Sequence, residues 1–131
     1  MKRGSVNYTA TCNGFFQHLA AIGAKEALWR VVSECYTGNT ALRGCRPWLF
    51  LHDEIGLEVP HDDNASDAAQ RLQVAMIESM SKWIPDIPIT CTPVLGERWY
   101  KGAEPVYVDG KLVPCEPKKV GKRTIWVPTK K

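Results

Sequence analysis

The triplet His52-Asp53-Glu54 is the part of this sequence best suited to chemistry, because it places two carboxylic acids beside an imidazole. It separates the apolar run 47–51 from the alternating segment 55–59. Carboxylates held at a tight turn point in fixed directions, and Mg²⁺ binds one or two carboxylates together with water and phosphate oxygens. The triplet therefore predicts a magnesium site, although an ordinary polar turn without a ligand explains the same residues equally well.

A second group of polar residues lies upstream, on one side of a predicted helix. Gln17, Ala21 and Lys25 recur at four-residue steps, which places their side chains on a common face. The Gln17 amide carries both a donor and an acceptor, as contact with the groove edge of a duplex requires. Taken singly, a glutamine near a helix start is more often simply solvated, and Lys25 fits a solvated lysine as well as a phosphate contact.

The helix that carries these residues is predicted from its hydrophobic spacing. Apolar residues between Phe16 and Cys35 recur at i, i+3, i+4 and i+7, which is the pattern of an amphipathic helix. Asn13 is suited to cap its start. Gly38 is suited to end it in a left-handed turn.

The elements after this helix predict the fold class. Residues 47–51 and 55–59 predict a hairpin with one shared apolar face, formed by Ile55, Leu57 and Val59. A second helix follows, with Asn64 and Asp67 as a capping box, and residues 89–95 predict a third strand. This order predicts the α+β class: an antiparallel sheet of the hairpin plus the third strand, with the two long helices on one face.

The positive charge is concentrated after residue 103. Residues 1–103 carry 10 basic and 11 acidic side chains, whereas residues 104–131 carry 7 and 3. We therefore separate a body, 1–103, from a basic extension, 104–131, in which Asp109-Gly110 predicts a hairpin over 105–114 and residues 122–128 predict a further strand. Four cations of the extension suit phosphate contacts, although a solvated tail explains them equally well: Lys118, Lys119, Lys122 and Arg123.

Composition excludes several classes of protein. The 131 residues are 44% apolar and 24% charged, as in one ordinary globular domain. No apolar run approaches the ~20 residues of a membrane span, and no signal-peptide core follows Lys2-Arg3, so we expect no membrane partner. The five cysteines form no C-x-x-C pair, which predicts reduced thiols in a cytoplasmic protein. The five tryptophans are predicted to lie mostly on core faces.

Taken in order, the motifs resemble those of a known family. The pattern N-x-x-x-Q-x-x-A-A-x-x-x-K-x-A begins at Asn13, and H-D-E-I-x-x-E-V-P begins at His52, after an apolar strand. A later G-E-x-W segment contains Gly96, Glu97 and Trp99. The combination resembles the C-terminal palm region of family A DNA polymerases, the bacterial DNA polymerase I type, in a phage-type form. The likeness spans about residues 13–102.

The resemblance implies a role for individual residues. Asp53 matches the motif C aspartate, one of two palm carboxylates that hold the catalytic Mg²⁺ ions, and Glu54 matches the neighbouring acid. In that family two Mg²⁺ ions activate the primer 3′-hydroxyl and stabilise the charge on the transferring phosphoryl group. The residues assigned to contact with primer–template DNA are His52, Gln17, Asn13 and Lys25. The implied activity is template-directed transfer of dNTP in DNA replication or repair, in a bacterial or phage-infected cell.

Other parts of the polymerase are missing from the sequence. No D-Y-S-x-I-E-like segment supplies the first palm aspartate, and the fingers helix that handles the incoming nucleotide is absent. We therefore expect the chain alone to lack polymerase activity and to bind one Mg²⁺ ion or none. Its expected partner is the N-terminal remainder of the polymerase, with the fingers, the thumb and the first palm aspartate. The chain is then an excised piece or one product of a split gene.

Two other classes of function stay open at this point. His52-Asp53 and His61-Asp62 suggest a metal-dependent phosphohydrolase of the HD type, although such a site needs ligands that converge from a helical bundle. The second class is a non-enzymatic module that binds nucleic acid or protein through the basic extension and exposed tryptophans.

Overall fold

Helix α1, Tyr8–Tyr36, is the first element of the computed structural model, which describes residues 8–130. It buries Ala27, Val31 and Cys35, which recur at four-residue steps on one face. The predicted helix is therefore confirmed, but its predicted apolar face is buried only from Gly23 onward, since Phe16 is 66% exposed and Ala20 is exposed as well. The helix is longer than predicted, because it begins eight residues before Phe16.

The predicted start of α1 is wrong, whereas its end lies where predicted but without the predicted left-handed glycine. Asn13 lies inside the helix with an exposed side chain and does not cap its start. At the other end, the N–H groups of Thr37 and Gly38 donate to the Ser33 carbonyl at 2.8 and 3.1 Å. These bonds close the last turn without a left-handed residue at Gly38.

The hairpin predicted around the triplet is present. Strand β1, Arg46–Leu51, pairs antiparallel with β2, Glu54–Glu58, so that only His52 and Asp53 remain in the turn. Because strand side chains alternate, one face of β2 and the residue after it contact the core, as predicted for Ile55, Leu57 and Val59.

Helix α2, Ala65–Trp83, packs against α1 and follows the hairpin. Gly23 of α1 allows this close packing, since a Cβ atom there would lie 2.6 Å from the Met80 sulfur of α2. Asn64 precedes α2, but its side chain makes no capping hydrogen bond, so the predicted capping box is wrong. The reason is its backbone, which is already helical at φ −89° and ψ −2°, whereas a capping side chain needs an extended backbone.

The third strand was predicted incorrectly in extent and in partner. Residues 89–94 pair with no other strand, and only Leu95–Gly96 form a strand, β3. Pro88 directly precedes this segment and Pro93 interrupts it, and proline has no N–H to donate to a sheet. Instead of joining the hairpin, β3 pairs in parallel with β5, Lys111–Val120. The α+β class is confirmed, but with a two-stranded hairpin and a separate four-stranded mixed sheet.

The extension contributes most of that second sheet. Strand β4, Val106–Val108, forms a hairpin with β5 around Asp109 and Gly110, whose φ angles of 52° and 77° suit a two-residue hairpin turn. Strand β6, Arg123–Pro128, pairs antiparallel with the far half of β5. The near half of β5 packs on α2 and buries Leu112 and Cys115.

Small side chains fill the core between α1, α2 and β2, and the tryptophans mostly lie outside it. The residues that α1 and α2 bury in this core are alanine, valine and cysteine. Trp29 is 73% exposed and Trp48 54%, and Trp83 and Trp99 are exposed as well. The prediction that most tryptophans face the core is therefore wrong. Within residues 8–130, neither helix is sufficiently long and apolar to cross a membrane.

Candidate functional site

The hairpin turn presents its polar residues to solvent. Leu51 pairs with Glu54, so the turn has only two residues between the paired positions. His52 takes the first turn position with a φ of 54°, which is a left-handed conformation unusual for a residue other than glycine. The side chains of His52, Asp53 and Glu54 are all exposed. The short turn fixes the backbone from which Asp53 projects.

Glu54 is joined to the segment that follows β3. The Trp99 indole N–H donates a hydrogen bond of 3.0 Å to Glu54 Oε1. This contact brings the G-E-x-W segment against the hairpin, although the two are more than 40 residues apart in sequence. It restrains the Glu54 carboxylate and leaves Oε2 free for another ligand.

Asp53 lies near Cys91, and Cys91 belongs to the irregular segment before β3. Burial is the main cause that raises the pKa of the Cys91 thiol, and the negative charge of Asp53 raises it further. The Cys91 carbonyl is held by the Gln73 side-chain amide of α2, which donates to it at 2.7 Å. Among residues 8–130, Asp53 itself has no hydrogen-bond or ion-pair partner, so both carboxylate oxygens are free.

A cleft opens between the hairpin, α2 and residues 89–103, and Asp53 and Glu54 line it. The carboxylates of its lining outnumber the cations Arg98 and Lys111; they are Asp53, Glu54, Glu58, Asp62, Asp63 and Glu97. The resulting negative potential favours cations in the cleft.

The polar residues predicted on α1 lie outside this cleft. Asn13, Gln17 and Lys25 are exposed on α1, and within the described chain their side chains have no hydrogen-bond or ion-pair partner. Ala24 and Ala27 are the only residues of α1 that line the cleft. Asp53 and its sequence neighbour Glu54 therefore line one cleft, whereas Asn13, Gln17 and Lys25 lie on a separate surface.

The carboxylates of the turn fit a Mg²⁺ ion only as part of its coordination shell. In the portion of the chain from 8 to 130, no three His, Cys, Asp or Glu side chains form a group that could hold a metal. Mg²⁺ commonly takes one or two protein carboxylates and completes its six ligands with water and phosphate oxygens. Asp53 and the free oxygen of Glu54 match that requirement.

The four cations predicted to contact phosphate lie on a different part of the molecule. Lys118 and Lys119 end β5, and Lys122 and Arg123 follow the turn into β6. All four side chains are exposed, and none lines the cleft.

The sequence did not predict the contacts that hold the turn. G-E-x-W indicated Trp99 only as part of a family pattern, and no signal linked it to Glu54 or linked Cys91 to Asp53. Comparison of the chain with protein-family models, with curated proteins and with solved structures gives no match.

Proposed function

We propose that this chain is the C-terminal palm segment of a family A DNA polymerase, with Asp53 as one of the carboxylates that hold the catalytic Mg²⁺ ions. The observation that carries the proposal is the two-residue turn, which projects an unpaired, exposed Asp53 into an acidic cleft. That geometry suits an aspartate whose metal is completed by ligands from elsewhere.

Asp53, Glu54 and His52 would each have a different role in such a site. Asp53 would bind Mg²⁺ through its free carboxylate, and Glu54, restrained by Trp99, would add a second negative charge beside it. When bound, the two Mg²⁺ ions of such a site lower the pKa of the primer 3′-hydroxyl and stabilise the charge on the transferring phosphoryl group. His52, exposed beside Asp53, would contact the primer terminus.

The proposal requires polymerase residues that lie outside this sequence. The first palm aspartate and the residues that handle dNTP are not present in the sequence. Several large apolar side chains of α1 and β1 are exposed, as expected for a segment that packs against further protein: Phe15, Phe16, Trp29, Tyr36 and Trp48.

Primer extension tests the proposal. The chain is mixed with the N-terminal part of a family A polymerase that carries the fingers, the thumb and the first palm aspartate. We expect extension with the wild type, loss of at least about 100-fold with Asp53→Asn, and no loss with Asp109→Asn. Asp109 is the matched control, because it is an exposed aspartate in the turn of another hairpin. Extension by Asp53→Asn at the wild-type rate would contradict the proposed role.

A second measurement uses the chain alone. Mn²⁺, a paramagnetic substitute for Mg²⁺, should broaden the amide signals of residues 52–54 and the Trp99 indole signal in a ¹H–¹⁵N spectrum. Asp53→Asn should remove this broadening, and Asp109→Asn should not. Equal broadening in all three proteins would show that Mn²⁺ binds elsewhere.

The exposed aromatic residues also support a second candidate, a non-enzymatic module that binds protein or nucleic acid. Phe15 and Phe16 are 63% and 66% exposed and stand edge-to-face, with ring centroids 6.1 Å apart. In that case Asp53→Asn would leave partner binding unchanged, whereas Phe15→Ala would weaken it. No observation favours the HD-type phosphohydrolase.

A further inference from the structure

The far halves of β5 and β6 form a two-stranded ribbon, which we define as residues 117–125. The near half of β5 pairs with β3 and β4, whereas within the described chain residues 116–120 pair with β6 alone. All nine residues of the ribbon are exposed, and Gly121, with a φ of 62°, helps to form its two-residue turn. At about 3.3 Å per residue, the four residues from Pro117 to Val120 make the ribbon about 13 Å long.

The charge of the ribbon has a single sign and covers both of its faces. It carries four cations and no carboxylate. Val120 pairs with Arg123 and Lys118 with Ile125, so Lys118 and Arg123 share one face, because directly paired residues point to the same side. Lys119 pairs with Thr124 on the opposite face, and Lys122 lies in the turn. Among residues 8–130, none of the four cations has an ion-pair partner.

We propose that this ribbon binds duplex DNA by entering the major groove with its turn leading. The major groove is about 12 Å wide and 8.5 Å deep and admits a two-stranded ribbon, whereas the minor groove is about 6 Å wide. Both walls of the groove carry phosphates. A ribbon with cations on both faces and at its tip contacts both walls, whereas a flat anionic surface would be contacted by one face only.

This inference goes beyond the polymerase proposal. The resemblance ends near residue 102 and assigns nothing to the ribbon. The ribbon also lies outside the lining of the acidic cleft, whose charge disfavours phosphate. Binding by the ribbon therefore needs neither Asp53 nor a bound metal, and either proposal can fail without the other.

Salt-dependent binding of the full chain to a fluorescently labelled duplex tests the inference. If all four cations contact phosphates, the quadruple variant K118Q/K119Q/K122Q/R123Q lowers the slope of log affinity against log salt by about 3.6. Between 50 and 200 mM salt, the affinity of the wild type then falls about 150-fold more than that of the variant. The charge-retaining variant K118R/K119R/K122R should keep the wild-type slope.

A control variant distinguishes contacts made by the ribbon from a general effect of net positive charge. The variant R43Q/R46Q/K101Q/K130Q removes the same number of exposed cations outside the ribbon and should change the slope by less than about 1. Asp109→Asn, an exposed position in the turn of another hairpin, should leave duplex binding unchanged. An effect of the control as large as that of the ribbon variant would overturn the inference.

The two faces provide the sharpest comparison. In the groove, K119Q on one face and K118Q on the other should each lower the slope by about 0.9. An effect confined to one face would overturn the groove geometry. Binding to single-stranded DNA, or to vesicles of phosphatidylserine and phosphatidylcholine, that equals or exceeds binding to the duplex would also overturn the groove geometry.

Discussion

Replacing Glu34 with glutamine should destabilise the junction of α1, α2 and the loop before β1 by about 2 kcal/mol. The Glu34 carboxylate accepts hydrogen bonds from Arg71 Nε at 2.9 Å and from Arg71 Nη2 at 2.5 Å. The Thr40 hydroxyl donates a third, at 3.2 Å, and Arg30 lies 3.5 Å away on α1. One carboxylate therefore connects two helices and the chain that enters the hairpin.

The magnitude follows from the burial of this group. The side chain of Glu34 is 14% exposed and that of Arg71 is 29% exposed. Removing one partner of a fully buried pair costs about 3–5 kcal/mol, and partial exposure together with the remaining amide oxygen reduces this to about 2. For a chain of this length, each kcal/mol lowers Tm by about 3–4 °C, so we expect a loss of about 6–8 °C by thermal unfolding at neutral pH.

The difference in Tm between wild type and Glu34→Gln should disappear in acid. The hydrogen bonds from Arg71 are the main cause that holds the pKa of Glu34 below its ordinary value of 4.5, while burial opposes them. A lowered folded-state pKa adds stability above the unfolded pKa, and that stability is lost as the pH falls through the folded pKa. Wild type and Glu34→Gln should therefore converge in Tm as the pH falls below 4.5.

Glu26→Gln is the control, since Glu26 also bridges α1 and α2, through Lys82 and Trp83, but its side chain is more exposed, at 30%. It should lower Tm by less than Glu34→Gln does. The reasoning is refuted if Glu34→Gln unfolds within about 1 °C of wild type at neutral pH, or if its deficit persists unchanged in acid.

Three further outcomes follow from single groups. His52→Gly should raise the free energy of unfolding by about 0.5–1 kcal/mol in guanidinium titrations, because glycine accepts the left-handed φ of 54°; a loss would contradict this. Ser66→Ala leaves the buried Leu112 N–H without its 3.0 Å acceptor and should cost about 1–2 kcal/mol, with faster amide exchange at Leu112; unchanged exchange would count against it. Burial raises the pKa of Cys35 to about 11, so iodoacetamide should label Cys12 well before Cys35, as mass spectrometry of the folded protein can show; equal rates would contradict the burial.

The sequence was sufficient where a local pattern determines local structure. Alternation of Ile55 and Leu57 set the face of β2, and the polar triplet between two apolar runs marked the hairpin turn. Asp109-Gly110 predicted its turn because both positions need positive φ, which these two residue types tolerate.

Sequence reasoning failed where the outcome depends on distant partners. Residues 89–95 alternate like a strand, but prolines and the parallel pairing of β3 with β5 decide their structure. The exposure of Trp29, by contrast, follows from local spacing, because Trp29 lies two residues from both Ala27 and Val31 and therefore on the opposite face of α1. At the candidate site, Asp53 and Glu54 were predicted from their own neighbourhood, whereas the hydrogen bond from Trp99 is a tertiary contact.

The ribbon leaves one edge of the far half of β5 unpaired within residues 8–130, and unpaired edges are where copies of a protein add strands to one another and grow into fibrils. Pro117 has no N–H to offer an incoming strand, and Lys118 and Lys119 would repel the same residues of a second copy. The cations thus also protect a segment that exposes Val120 and Ile125. Glutamine substitution of both lysines removes that protection, so at protein concentrations well above those of a duplex titration the double variant should self-assemble while the native chain stays dispersed.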